Sequence, residues 1–546
     1  MRGVGLATLS EDLRATAAIP GRVAPDLGVP VSGRVRSAWW LPPLSEVVFA
    51  SVLLWLLVGG GQAGALLADG DTGWHIRTGD YILSEHRFPT SDLFSFSRPG
   101  AEWFAWEWGS DVLFALLHRL TGLQGVVLLS GALIAATSAA LFRYLLWQRV
   151  NVIVAVLAML AAGSASSVHW LARPHLFTYL LFVISLWLLE ADRRRPTRWI
   201  WSLAPLAALW TNLHGGFVVL VVTLSVYLLG ATLDACRIGL GSEGNRPDWR
   251  AVRRYACLTL AATAATLLNP YTYRLHGHIG RYLSSDFIRN HVEEFQSPRF
   301  RGESMVAFEL VLIGGLLVVP RLWRRREYAA ALLVLGLAHA ALGSVRHVLL
   351  YVLAATPAVA RELSEALASS KNGWTAALAS LGAGPVWGGR DRPWFWPPLW
   401  ALGAIAVTAV LFHSGDPRWR VDFPREKFPQ AALAATEEKL MGHRVFTSDQ
   451  WADYLIYRYY PRIRVFMDGR SDFYGATVGQ QYLDALTAHH RWEEIFEHNG
   501  FDAVLLPSAW PLATVLKAHP GWQLDYDDGQ ALVLRRVSRS SGLSAN

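Results

Sequence analysis

The sequence is short of charge, short of lysine and almost free of cysteine. Of its 546 residues 17% are charged against 52% hydrophobic, and the mean hydropathy is +0.25. These values exclude a disordered chain and argue against an ordinary soluble enzyme, because so little charge cannot coat so much apolar surface. Two cysteines, Cys236 and Cys257, are too few for a disulfide framework or a four-ligand zinc site. Lysine occurs only at Lys371, Lys427, Lys439 and Lys517, so the basic pI of about 9.4 is an arginine property, the codon bias of a GC-rich genome. There is no P-loop, no dinucleotide-binding glycine pattern after a strand, no His-Glu-x-x-His and no zinc cysteine spacing. ATP-driven transport and membrane metalloprotease chemistry lose ground accordingly, and no nucleic-acid partner is expected. No internal repeat is evident, and no cleavable signal is expected, since mixed, Arg-containing sequence precedes the first apolar run.

What the chain does have is apolar windows of membrane-spanning character, at 46–67, 123–142, 151–168, 175–190, 199–213, 216–235, 255–269, 305–320, 328–344, 347–361 and 394–413. A helix needs about 20 apolar residues to cross, so the pattern predicts about eleven spans, several of them short. Arginines recur in every second connection: Arg34 and Arg36, Arg143 and Arg149, Arg193 to Arg195, Arg250 to Arg254, and Arg324 to Arg326. Positive charge collects in cytoplasmic loops, so the N-terminus is expected inside and everything after His413 outside. The expected layout is a cytoplasmic segment 1–45, a transmembrane domain 46–413 that includes a first outer loop 68–122, and an extracytoplasmic α/β domain 414–546. In the last of these, short strands at 444–447, 464–467, 503–506 and 531–534 alternate with helical stretches such as 451–459. The stretch 371–393 reads as a flexible cytoplasmic loop.

The most informative motif follows the first window: Ala68-Asp69-Gly70-Asp71-Thr72-Gly73-Trp74-His75. Two carboxylates one residue apart at a membrane boundary are costly and mark function. Gly70 and Gly73 allow the backbone to turn and a ligand to come close. The loop continues through Trp103, Trp106-Glu107-Trp108 and an amphipathic stretch 111–120. An acidic pair beyond the first span, an aromatic loop, a glycine opening the second span and a C-terminal extracytoplasmic domain resemble the glycosyltransferase C superfamily, nearest to its protein mannosyltransferase and aminoarabinose transferase branch. Here the pair is Asp-Gly-Asp rather than the Asp-Glu of that branch, and a Pro-Pro-Leu run common there is missing. The resemblance implies a multi-pass α-helical membrane enzyme moving a hexose or pentose from a polyprenyl-phosphate carrier to a glycan, lipid or protein. It places that enzyme in the bacterial inner membrane, with the chemistry at the outer face.

The residues suit that chemistry. An acceptor hydroxyl needs a base, for which Asp71 or Asp69 is the candidate, and a departing phosphate needs cations or directed donors. Outward Arg and His at span ends serve that purpose: Arg173 and His175, His276 and His278 with Arg274 beside them, and Arg346 and His347 in a very short turn. Trp74, His75 and His214 are the pocket candidates. The bland alternatives are a helix cap for the aspartates, an interfacial belt for Trp74 and His75, and membrane-surface anchoring for Trp103, Trp106 and Trp108. In the tail, Asp468 or Asp472 is expected to pair with Arg470. No cofactor is expected to be required, with a divalent cation at Asp69 and Asp71 as the alternative. The competing functions are a lipid-linked-sugar flippase or secondary transporter, and an envelope polysaccharide ligase or polymerase.

Overall fold

In the computed structural model, residues 42–59, 62–236, 248–383 and 398–537 are described. Each apolar window holds helix. Five helices are long and apolar enough to cross a membrane: Leu123–Trp147, Val152–His169, His175–Arg194, Gly215–Cys236 and Met305–Arg324. Leu44–Leu57, Tyr328–Gly343 and Leu399–Phe412 are apolar but shorter. Length and composition therefore carry five spans among the described residues, where the apolar windows predict about eleven. Hydroxyls inside these helices bond back to their own turn, as Ser130 Oγ does to the Val126 carbonyl at 2.8 Å and Thr137 Oγ1 to that of Leu133 at 2.8 Å. That satisfies them without a polar neighbour.

Two windows are broken where a single helix is expected. The first stops at Leu57, and Gln62–Leu67 is a separate 3-10 turn; 199–213 divides into Arg198–Ser202 and Leu203–Leu213. The 371–393 stretch is not all loop. Gly373–Ala383 is helical, docked by Asn151 Nδ2 donating to the Ala379 carbonyl at 3.1 Å. Residues 384–393 of it, like residues 1–41 of the N-terminal segment, lie outside the described residues.

The tail carries a four-stranded sheet, β1 (Val445–Thr447), β2 (Ala503–Pro507), β3 (Trp522–Asp527) and β4 (Ala531–Arg536), in the order β1-β2-β4-β3. β1 and β2 are parallel and the other pairs antiparallel. The expected strands include β1, β2 and β4 but not β3, whose Trp522, Leu524 and Tyr526 alternate with polar residues and none of whose side chains is buried. Conversely, 464–467 does not join the sheet. Val465 exchanges backbone bonds with the first long loop instead, its N–H to the Phe94 carbonyl at 3.0 Å and its carbonyl from the Phe96 N–H at 3.0 Å.

That pairing is one of several seams between loop and tail. The Arg470 guanidinium is buried between Asp468 (2.6 Å) and Asp92 (2.8 Å), and lies over the Trp103 ring at 4.6 Å. Asp92 in turn accepts from the Ser95 N–H at 2.8 Å and hydroxyl at 2.6 Å. Trp103 is thus core rather than a membrane-surface anchor, and Trp108 is likewise tied inward through Nε1 to Asn212 Oδ1 at 2.7 Å. Gly70 and Gly73 face the tail helix Asp449–Tyr459 rather than a ligand. A Cβ on either would fall 2.4 Å from the Gln450 carbonyl oxygen or 2.6 Å from that of Asp453. Removing one member of a buried ion group strands the others at a cost of about 3–5 kcal/mol. Arg470→Met is therefore expected to loosen the tail from the loop at neutral pH, read as a lower unfolding temperature and faster proteolytic release of the tail than in wild type. An unchanged protein would show that the seam does not hold the two parts together.

Candidate active site

A cavity of about 810 Å³ opens where the first long loop, the tail and the connections preceding three helices meet. Its polar end is lined by Asp69, Asp71, His75, Glu107, Arg173, His214, Glu294 and Arg346; Val219, Val222, Val226, Leu333 and Leu337 line its apolar part. That apolar part lies between the Val218–Cys236 and Tyr328–Gly343 helices.

Asp69 and Asp71 begin the helix Asp71–Glu85, and Asp69 Oδ1 accepts the Asp71 N–H at 2.9 Å. The capping role is therefore real, and it uses only one oxygen. Asp69 Oδ2 meets Arg173 Nη1 at 3.0 Å, Asp71 Oδ2 meets Nη2 at 2.7 Å, and Glu294 Oε1 meets Nη1 at 2.5 Å. Three carboxyl groups converge on one guanidinium. Burial acts to raise Glu294, but Arg173 and then Arg346 override it and hold its carboxyl well below the ordinary range. For Asp71 the balance reverses: burial, against Arg173 and reinforced by Asp69 and Glu294, pushes it up to about 7.

The second oxygen of Asp71 has no hydrogen-bond partner. It faces the tail. A Cβ on Gly469 would fall 2.1 Å from Asp71 Oδ1 and 2.9 Å from Asp453 Oδ2, so only glycine fits between the two carboxyls. Asp453 is fully buried, accepts the Gly469 N–H at 3.1 Å through Oδ1, and leaves Oδ2 unpartnered. Burial, with Asp71 and Asp468 adding repulsion, raises Asp453 well above its ordinary value. Two carboxyls so placed do not both ionise, and they hold a proton between them.

The other anticipated residues divide into those that reach the cavity and those that do not. His175 and His347 line it, as does Trp74, stacked on His75 with centroids 3.6 Å apart. Arg346 is held by Tyr282, its Nη1 donating to the hydroxyl at 2.5 Å, and lies over the Phe295 ring at 5.1 Å. No carboxylate stands within ion-pair distance of it among the described residues. His276 does not reach the cavity; its Nε2 meets Thr266 Oγ1 at 2.8 Å. His278 is one step back, with Nε2 2.8 Å from Asp472 Oδ2, and it is Asp472 that lines the wall. Arg274 pairs with Glu102. Trp106 lines the cavity rather than anchoring the surface.

Sequence reasoning missed Glu107, Asp111, Glu294, Asp453 and Gly469. Glu107 was visible only as an acid between two tryptophans, and the others carry no local motif. Asp69 and Asp71 both converge on the Arg173 guanidinium. Among the described residues no group of three or more His, Cys, Asp or Glu is placed to hold a metal.

No family model and no curated protein matches the sequence. Among solved structures, the chain is similar to the oligosaccharyltransferase of Archaeoglobus fulgidus in its apo form, with a TM-score of 0.56 at 12% identity, covering 91% of this chain and 74% of that one. It is also similar to AglB, the archaeal oligosaccharyltransferase of Archaeoglobus fulgidus, in complex with an inhibitory peptide and a dolichol-phosphate, with a TM-score of 0.57 at 11% identity, covering 89% of this chain and 73% of that one. The chain thus shares the fold of an archaeal oligosaccharyltransferase, and among its described residues five helices are long and apolar enough to cross a membrane.

Proposed function

We propose that the protein is a membrane glycosyltransferase that moves a sugar from a polyprenyl-phosphate carrier to a glycan, lipid or protein acceptor at the outer face of a bacterial inner membrane. The observation that carries the reading is the shape of the cavity's chemistry. Arg173 and Arg346 stand at one end of a chamber whose other walls are Val and Leu of two neighbouring helices. A phosphate head on a prenyl tail has that same division, and amphipathic ligands are read by such few polar groups in an apolar cleft. The titratable groups gather in the connections between helices, which favours chemistry at a boundary over carriage through mid-membrane. The fold shared with an enzyme solved with dolichol-phosphate supports the same class of donor.

Asp71 is the base. Its carboxyl lines the cavity, with Arg173 holding Oδ2 and the buried Oδ1 turned to Asp453, so an acceptor hydroxyl or amide engages it by displacing one of those contacts. Asp69 acts on it indirectly, capping the helix and fixing Arg173. Arg346, with no carboxylate in ion-pair distance among the described residues, receives the phosphate. Arg173 supplies the fixed positive charge that a divalent ion supplies elsewhere, and the reaction proceeds without metal.

Transfer from a panel of polyprenyl-phosphate sugars by the protein in nanodiscs tests this. Asp71→Asn is expected to remove activity by about 100-fold or more, the scale of a lost general base. Asp69→Asn is expected to lower it less, and EDTA to leave wild type unchanged. Full activity in Asp71→Asn rejects the base, and loss with EDTA restored by a divalent ion rejects the metal-free site. Separately, Arg346→Met is expected to weaken binding of undecaprenyl phosphate by about tenfold or more, the worth of a hydrogen bond to a charged group. Equal affinity would place the phosphate elsewhere.

A further inference from the structure

Glu107 has no role in the scheme so far, yet it lines the cavity while only 7% exposed. Among the described residues no Arg or Lys pairs with it. Its carboxyl is flanked by two imidazoles, with His75 Nε2 3.6 Å from Oε2 and His214 Nε2 3.3 Å from Oε1.

The hydrogen positions on those rings follow from their other contacts. The Gly216 N–H donates to His214 Nδ1 at 2.9 Å. Trp210 Nε1–H donates to Thr178 Oγ1 at 2.8 Å, which turns the Thr178 hydroxyl proton toward His214 Nδ1 at 2.7 Å. Nδ1 is therefore an acceptor and Nε2 carries the hydrogen, facing Glu107. On the other side, His75 Nδ1 meets Asp111 Oδ1 at 2.6 Å, and Asp111 is fully buried with its second oxygen unpartnered. Burial, reinforced by Glu107, raises Asp111 well above its ordinary value, and burial with Arg173 and His175 lowers His75 well below its own. Both directions favour the arrangement in which the proton between the two sits on Asp111 and His75 carries its hydrogen on Nε2, the nitrogen 3.6 Å from Glu107. Burial also pushes Glu107 up to about 8, against Arg173 and Arg346 and with Asp472 and Asp71 adding repulsion. An imidazole nitrogen thus stands beside each Glu107 oxygen, and the carboxyl lines the cavity.

We propose that Glu107 is the proton-donating group of this cavity, gripped by His75 and His214, resupplied from Asp111 through His75, and aimed at the phosphate of the lipid-linked donor. The assignment rests on the transferase reading above. As the acceptor atom forms its bond to the sugar C1 and gives its proton to Asp71, the C1–O bond breaks and its electron pair stays on the phosphate oxygen. That oxygen takes the Glu107 proton. The His75 Nε2 hydrogen passes to Glu107 and the Asp111 hydroxyl hydrogen to His75 Nδ1, leaving the charge on Asp111. Asp71 releases its proton to solvent, and once the phosphate has left solvent gives His75 Nε2 a proton from the cavity side while the Nδ1 hydrogen returns to Asp111, which restores the starting state. Arg173 and Arg346 bind the phosphate throughout; His75 and Asp111 are positioning residues that act through Glu107.

Two arms test this on the full-length protein in nanodiscs. In the first, without substrate, infrared difference spectra between mildly acid and alkaline buffer are compared for wild type, Glu107→Gln, Asp111→Asn and Asp71→Asn. A carboxylic-acid carbonyl band that persists in Asp71→Asn, vanishes in Glu107→Gln and shifts in Asp111→Asn is expected. In the second, kcat for a polyprenyl-monophosphate hexose is followed against pH. Wild-type kcat should fall as pH rises through about 8, where Glu107 loses its proton. Glu107→Gln should lose about 100-fold in kcat together with that alkaline limb, while keeping its affinity for undecaprenyl phosphate; Asp111→Asn should move the limb. No band lost in Glu107→Gln, or a limb left in place by it, overturns the proposal while an inactive Asp71→Asn keeps the transferase reading. A fully active Asp71→Asn overturns that reading instead, and the infrared arm still decides the proton on Glu107.

Discussion

Everything at the polar end of the cavity is organised around one guanidinium. Arg173 sits in the connection before the His175–Arg194 helix and is shared by Asp69, Asp71 and Glu294, which come from two other connections. Three carboxyls in a buried space repel one another by several kcal/mol at the effective dielectric of a protein interior. A planar cation with two usable nitrogens turns that repulsion into convergence. It also sorts the acids: Glu294 is held ionised, while Asp71 retains a proton affinity near neutrality. A base must be weak enough to lose its proton and strong enough to take another, and burial, opposed by one arginine shared among three acids, sets that poise for Asp71.

The tail contributes to the same poise. Asp453 and Gly469 close the space beside Asp71, and the Arg470 seam presses the tail onto the first long loop. Without Gly469 the free oxygen of Asp71 would be struck by a side chain; without Asp453 it would face no second acid. The cavity wall is thus completed by residues that the chain reaches some 380 positions after the motif they touch, as in the Gly70 to Gln450 bond.

Much of this was legible in the sequence, and the boundary of legibility is physical. The apolar windows hold helices because a run of Leu, Val and Ala long enough to bury has few other ways to satisfy its backbone. Asp69, Asp71, Arg173, His175 and Arg346 stood out because charge at a helix end is costly and draws the eye. Glu107 and Asp111 did not, since an acid in an aromatic loop or an amphipathic helix has an ordinary surface explanation. Asp453 and Glu294 gain meaning only from partners in other connections. Three strands of the tail showed their apolar run, whereas β3 has no run, only single apolar residues alternating with polar ones, and the 464–467 segment pairs with a loop that no local pattern indicates. The tryptophans misled for the same reason: a Trp looks the same in sequence whether it floats at an interface or lies over Arg470.

The lateness of Gly469 and Asp453 in the chain has a bearing on biogenesis. The helices that line the apolar part of the cavity and the arginines at its polar end are all synthesised before residues 449–472. A nascent chain therefore owns an apolar cleft before it owns a finished wall beside Asp71. Until the tail arrives and seats on the first loop, water has access to Asp71, and the buried acid pair is missing. Synthesis of residues 449–472 is, for this architecture, the step that completes the site.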